Sequence, residues 1–132
     1  MPPDTQQIMA PPQPGQLISK TLQQVMGQVE YHCFASLRFN WVDPLYKELC
    51  LIIAETLLLS PDSVIKINGS NISASLAQEV FSQLRNDHVR LVFENFNKVS
   101  ARVYNKKAYL RTALYNAVFE LESSSVNDIG SV

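Results

Sequence analysis

Apolar residues recur at every third or fourth position along most of this chain, the spacing of helices that each bury one face. Leu17, Ile18, Leu22, Val25 and Met26 predict a short first helix, with Gly27 as its stop. Tyr31 to Asn40 has no clean period and reads as turn or short helix. A second helix is signalled by Asp43, which can accept amide hydrogen bonds, and by Pro44, which suits the first helical position. It is expected to reach Leu59, and from Leu49 onward apolar residues cover most of its circumference, as in a central helix touched on several sides. Ser60-Pro61-Asp62 breaks the chain, and Val64-Ile65-Lys66-Ile67 then alternates before Asn68-Gly69. A lone strand is unstable, so this stretch is expected as an extended connector that packs Ile65 and Ile67 on the helices. Ser73 predicts the cap of a third helix with Leu76, Ala77, Val80, Phe81 and Leu84 on its buried side. Asp87 predicts the cap of a fourth, carrying Val89, Val92, Phe93 and Phe96. Asn105 predicts the cap of a fifth, whose Leu110, Ala113, Leu114, Ala117, Val118 and Leu121 form the most regular stripe of the chain.

Five helices joined by short connections give an all-α, compact, bundle-like domain with one short extended connector. Its limits are drawn by the flanks. Residues 1–16 hold five of the seven prolines, with four glutamines, and are expected to be a linker or tail. Residues 17–122 form the helical domain, and the polar residues 123–132 are expected as a disordered tail. The length of 132 residues fits one domain, and a hydrophobic content of 46% fits a packed core. The longest apolar run, Leu49 to Leu59, is interrupted by Glu55 and is too short to span a bilayer, and no secretory leader is recognisable. The expected location is the cytoplasm. Cys33 and Cys50 lie in or beside apolar stretches without metal or redox spacing, and are expected as buried free thiols.

No phosphate loop, dinucleotide fingerprint, HExxH or GxSxG is present, and the carboxylates are scattered singly. His32 adjoins Cys33 in sequence, but neighbouring side chains usually point apart, so the pair reads as structural; His88 reads as a surface group near a helix start. A binding module without catalytic site, metal or cofactor is therefore expected. Charge points to one candidate surface. The chain is nearly neutral at −1, yet Arg85 to Arg111 holds seven basic residues against Asp87 and Glu94, a local balance of +5. Lys98, Arg102, Tyr104, Lys106, Lys107 and Arg111 are the candidate nucleic-acid-binding residues: cations neutralise phosphates, and tyrosine faces stack on bases. The competing reading is the wet side of an amphipathic helix. Basic charge in a first helical turn opposes the helix dipole, which favours a functional reason for Lys106 and Lys107.

Asn105-Lys106-Lys107-Ala108-Tyr109-Leu110-Arg111-Thr112-Ala113-Leu114-Tyr115-Asn116-Ala117 resembles the C-terminal domain of the replication initiator A family of plasmids and conjugative elements of Gram-positive bacteria. Ile65-Lys66-Ile67-Asn68-Gly69 and Leu84 with His88-Val89 are similar to further segments of that family, and Val29-Glu30-Tyr31 resembles its entry motif loosely. The likeness covers residues 22–118. Departures are Ser100-Ala101 before Arg102-Val103-Tyr104, where the family has a threonine pair and Lys-x-Arg, Gln78 and Val80 where it has basic residues, and Val118 where it has proline. The resemblance implies a DnaD-like helical domain that recruits host replication proteins, a primase, helicase or loader, with accessory contact to DNA. It implies no active-site residue and no membrane partner. Without the winged-helix domain of such initiators, the chain is expected to be a fragment or a stand-alone relative. The alternatives are a DNA-binding accessory protein and a self-assembly domain.

Overall fold

A computed structural model describes residues 14–31 and 43–130. The segment expected as turn or short helix, with His32 and Cys33, lies outside the described residues beyond Tyr31, as do residues 1–13. Among the described residues the apolar repeats fold into five α-helices and one hairpin: α1 (Pro14–Gln28), α2 (Pro44–Leu57), β1 (Val64–Ile67), β2 (Ser70–Ser73), α3 (Ala74–Phe81), α4 (Asn86–Val99) and α5 (Lys106–Gly130). The mostly helical class is as expected.

Several boundaries differ from the sequence reading: α2 ends at Leu57, short of Leu59, and α3 ends at Phe81, so that Leu84 is buried but lies beyond the helix. Helix α1 starts at Pro14 rather than 17, since proline fits a first turn where no amide partner is needed. It also runs through Gly27, and the left-handed backbone that leaves it falls on Glu30, at φ 54°. Helix α5 continues past residue 122 to Gly130, so part of the expected disordered tail is helical.

Helix α2 is central, as its all-round apolar surface requires: it packs against all four other helices. Asp43 caps it by accepting from the Leu45 amide at 2.8 Å, and Leu49, Cys50, Ile53 and Ala54 are fully buried along it. The predicted caps Ser73 and Asn105 also accept, from the Leu76 and Ala108 amides. Asp87 does not cap α4. It lies inside the first turn, and the half-buried His88 supplies the cap through Nδ1, which accepts from the Arg85 amide at 2.8 Å. Leu76 is 43% exposed, off the buried stripe of α3 formed by Ala74, Ala77, Val80 and Phe81.

The expected connector is half of a β-hairpin. β1 pairs antiparallel with β2, Ile65 opposite Ile72 and Ile67 opposite Ser70. Asn68 and Gly69 both have positive φ, 54° and 77°, the geometry of a two-residue turn whose twist matches that of the strands. Ile65 and Ile67 are buried beneath it with Ala77, against Leu59, Ile72 and Tyr115.

Side-chain amides tie the corners together. The Gln78 amide donates to the carbonyls of Thr56, Leu57 and Leu59, at 3.2, 3.3 and 2.7 Å, closing the end of α2. Gln28 donates to the carbonyls of Phe81 and Leu84 at 3.0 and 2.8 Å, and Asn86 to that of Val29 at 3.2 Å. Helix ends leave carbonyls without intrahelical partners, and these amides satisfy several of them across large sequence separations.

Candidate functional site

The six candidate residues occupy the junction of α4 and α5, but they do not form one cationic surface. Lys98 closes the last turn of α4, where a positive charge complements the helix dipole. Arg102 ends a single 3₁₀ turn, Ser100–Arg102, and Tyr104 sits in the bend that follows. Lys98 and Arg102 are exposed, and Tyr104 is fully so. Arg102 and Tyr104, with Val99, Val103, Asn105 and Tyr109, line a shallow groove of about 320 Å³. Among the described residues neither Lys98 nor Arg102 has a carboxylate within ion-pairing distance.

Lys106 and Lys107 are differently placed. They start α5 on the side that meets α2, where Lys106 Nζ lies 2.8 Å from Glu48 Oε1 and Lys107 Nζ pairs with Glu55 Oε2. Lys106 also stands over the Phe96 ring, 5.7 Å from its centroid. Both carboxylates come from α2, seven residues and so about two turns apart on one face. The lysines are thus paired across the joint between α2 and α5. Their half-exposed pairs are each worth less than about 1 kcal/mol. The Glu48 and Glu55 spacing was visible in the sequence, though the opposing helix was not.

Arg111 lies one helical turn beyond Lys107 on α5. It is half-buried, and its Nε is sealed from solvent with no hydrogen-bond partner among the described residues. Together with Lys66, Asn68, Gly69, Ala108 and Thr112, it lines a groove of about 380 Å³ between the hairpin turn and the start of α5. Below this groove Asn68 and Asn116 exchange two amide hydrogen bonds, at 2.9 and 3.0 Å. Sequence reasoning missed Lys66 as a site residue because it lies 45 positions before Arg111. The Asn68-Gly69 turn was the signal that would have brought it close.

Cys50 is free and buried, and burial pushes its thiol up to about 12. Tyr46 stacks on Phe93 with centroids 4.1 Å apart; burial raises its hydroxyl pKa and the nearby Arg90 cation opposes the rise. Tyr31 is likewise raised by burial. Among the described residues no cluster of three or more His, Cys, Asp or Glu is arranged to hold a metal, and no helix is long and apolar enough to cross a membrane.

Residues 15–128 match a family of unknown function (DUF6017). The chain belongs to that family. The matched range takes in every element of the DUF6017 domain described above, hairpin and grooves included, apart from the ends of its first and last helices. No curated protein and no solved structure matches the chain.

Proposed function

We propose that this domain is a replication-associated binding module of the cytoplasm, not an enzyme, which recruits a host primase, helicase or helicase loader in plasmid or mobile-element replication. One observation carries the reading. The two segments that most resemble replication initiator A proteins, Ile65 to Gly69 and Asn105 to Ala117, are far apart in sequence but packed on one another, joined by the Asn68 and Asn116 amides. Purified primase, replicative helicase and loader from a Gram-positive host, each immobilised and presented with the full chain, provide the test. Retention of the chain by at least one at micromolar concentration is expected; retention by none refutes recruitment.

A second reading, accessory contact to DNA, is favoured by the exposed Tyr104, which shares a groove with Arg102, and by Lys98 and Arg102 having no ion pair among the described residues. With Lys106 and Lys107 tied to α2, only a few phosphates can be neutralised, so log affinity should fall against log salt with a slope of only about −2. Changing Lys98 and Arg102 to Gln and Tyr104 to Ala leaves the ion pairs and the core intact. If that variant retains a labelled oligonucleotide as well as the parent at low salt, this surface is not the DNA contact.

A further inference from the structure

The groove between the hairpin turn and the first two turns of α5 combines features that together specify a ligand. Lys66 and Arg111 both line it, one from β1 and the other from α5, and neither has a carboxylate within ion-pairing distance among the described residues. Two cations brought to one groove repel each other, and among the described residues no carboxylate pairs with either. The Arg111 stem is held by burial, with Nε sealed and without a hydrogen bond among the described residues, so its guanidinium is positioned in advance rather than free to wander. Pre-positioning lowers the entropy lost when a bidentate partner binds. Thr112 and Asn68 also line the groove, and the Asn68 amide is already bonded to Asn116.

We infer that this groove receives an acidic side chain, aspartate or glutamate, presented by a peptide segment of a protein partner. The size agrees: about 380 Å³ lies within the range of sites for small ligands and admits a short segment, not a duplex. Charge argues for a peptide over a nucleic acid. A polyanion needs a track of free cations, whereas here the neighbouring Lys106 and Lys107 are already matched by Glu48 and Glu55, and the chain as a whole carries −1. One or two carboxylates complement the two cations and leave no excess charge. In the recruitment reading, on which this inference rests for its biological partner, the groove is the contact that selects an acidic segment.

The full chain, labelled with ¹⁵N, is titrated with a short peptide of alternating aspartate and leucine, with the same peptide carrying asparagine in place of aspartate, and with oligothymidylate. The aspartate peptide should shift amide resonances of Lys66, Gly69, Arg111 and Thr112, and the asparagine peptide should not. Lys66→Glu, on an exposed strand position, and Arg111→Met, which keeps the buried stem, should each weaken binding at least about tenfold, as expected for loss of a charge-assisted bond. Lys20→Gln, at an exposed position of α1, should leave it unchanged. Shifts confined to other surfaces, equal binding by both peptides, undiminished binding by Lys66→Glu, or shifts at these residues caused only by oligothymidylate would each overturn the inference. The titration is independent of the capture experiment. Recruitment that survives Lys66→Glu removes the groove but not recruitment, and a groove that binds the aspartate peptide stands even when none of the three replication proteins is retained.

Discussion

Replacing Gln78 with methionine removes two N–H donors from the end of α2 and keeps the side chain's length. The amide reaches three carbonyls, those of Thr56, Leu57 and Leu59, the last at 2.7 Å. It has only two hydrogens, so the contacts amount to two net hydrogen bonds, each worth about 1 kcal/mol. The site is partly buried, and carbonyls left without water there add to the loss, so Gln78→Met should destabilise the domain by about 2 to 3 kcal/mol. Glu79→Met, at the exposed next position of α3, is the control and should change stability by less than about 0.5 kcal/mol. Urea unfolding followed by far-UV circular dichroism reads both. With an m-value of about 2 kcal/mol/M, the Gln78 variant should lose about 1 M in its midpoint at unchanged slope. Gln78→Glu sharpens the test: an ionised carboxylate would face carbonyl oxygens, whereas a protonated one regains a donor. That variant should therefore stand closer to the parent at pH 4 than at pH 7. A difference of under about 0.5 kcal/mol between Gln78→Met and Glu79→Met would refute the claim that this amide closes the helix end.

Leu114 is fully buried on α5, so Leu114→Ala should lose about 2 to 5 kcal/mol through transfer energy and a cavity; a change under about 0.5 kcal/mol by chemical denaturation would mean the face is misassigned. The Cys50 thiol, held up at about 12 by burial, keeps its proton in the folded chain when the unfolded thiol, near 9, has begun to lose its own. Its contribution is complete below pH 9 and is lost as pH climbs toward 12, so stability should fall by about 1 kcal/mol between pH 9 and pH 10 in a Cys33→Ser background, and by clearly less when Cys50→Ala is added; equal slopes would exclude the thiol as the cause.

The helices were legible because each buries a stripe whose period the residues state directly, and Asp43, Ser73 and Asn105 mark their starts by chemistry confined to a few neighbouring positions. The hairpin was not. Its second strand, Ser70 to Ser73, carries a single apolar residue, Ile72, and four residues show too little alternation to reveal a partner for β1. Its register is fixed instead by the left-handed pair Asn68 and Gly69. The start of α4 was misread because Asp87 and His88 compete as caps, and the choice falls to whichever side chain reaches the Arg85 amide. In the candidate site the residue types were visible but not their separation. Lys106, Lys107 and Arg111 look alike in the chain, and only the positions of α2 and the hairpin decide that two meet carboxylates and one lines a groove with Lys66. Gln28, Gln78 and Asn86 were beyond reach for the same reason, since the carbonyls they satisfy lie at least 19 residues away.

Those three corner amides have a consequence for how the domain can change over evolutionary time. An amide has no charge to gain or lose, so the joints it makes are indifferent to acidity and to ionic strength. The charges instead sit on the outside, and even the two pairs between α2 and α5 contribute little. Exposed residues can therefore be exchanged at little cost in stability, while the neutral joints beneath keep the helices in register.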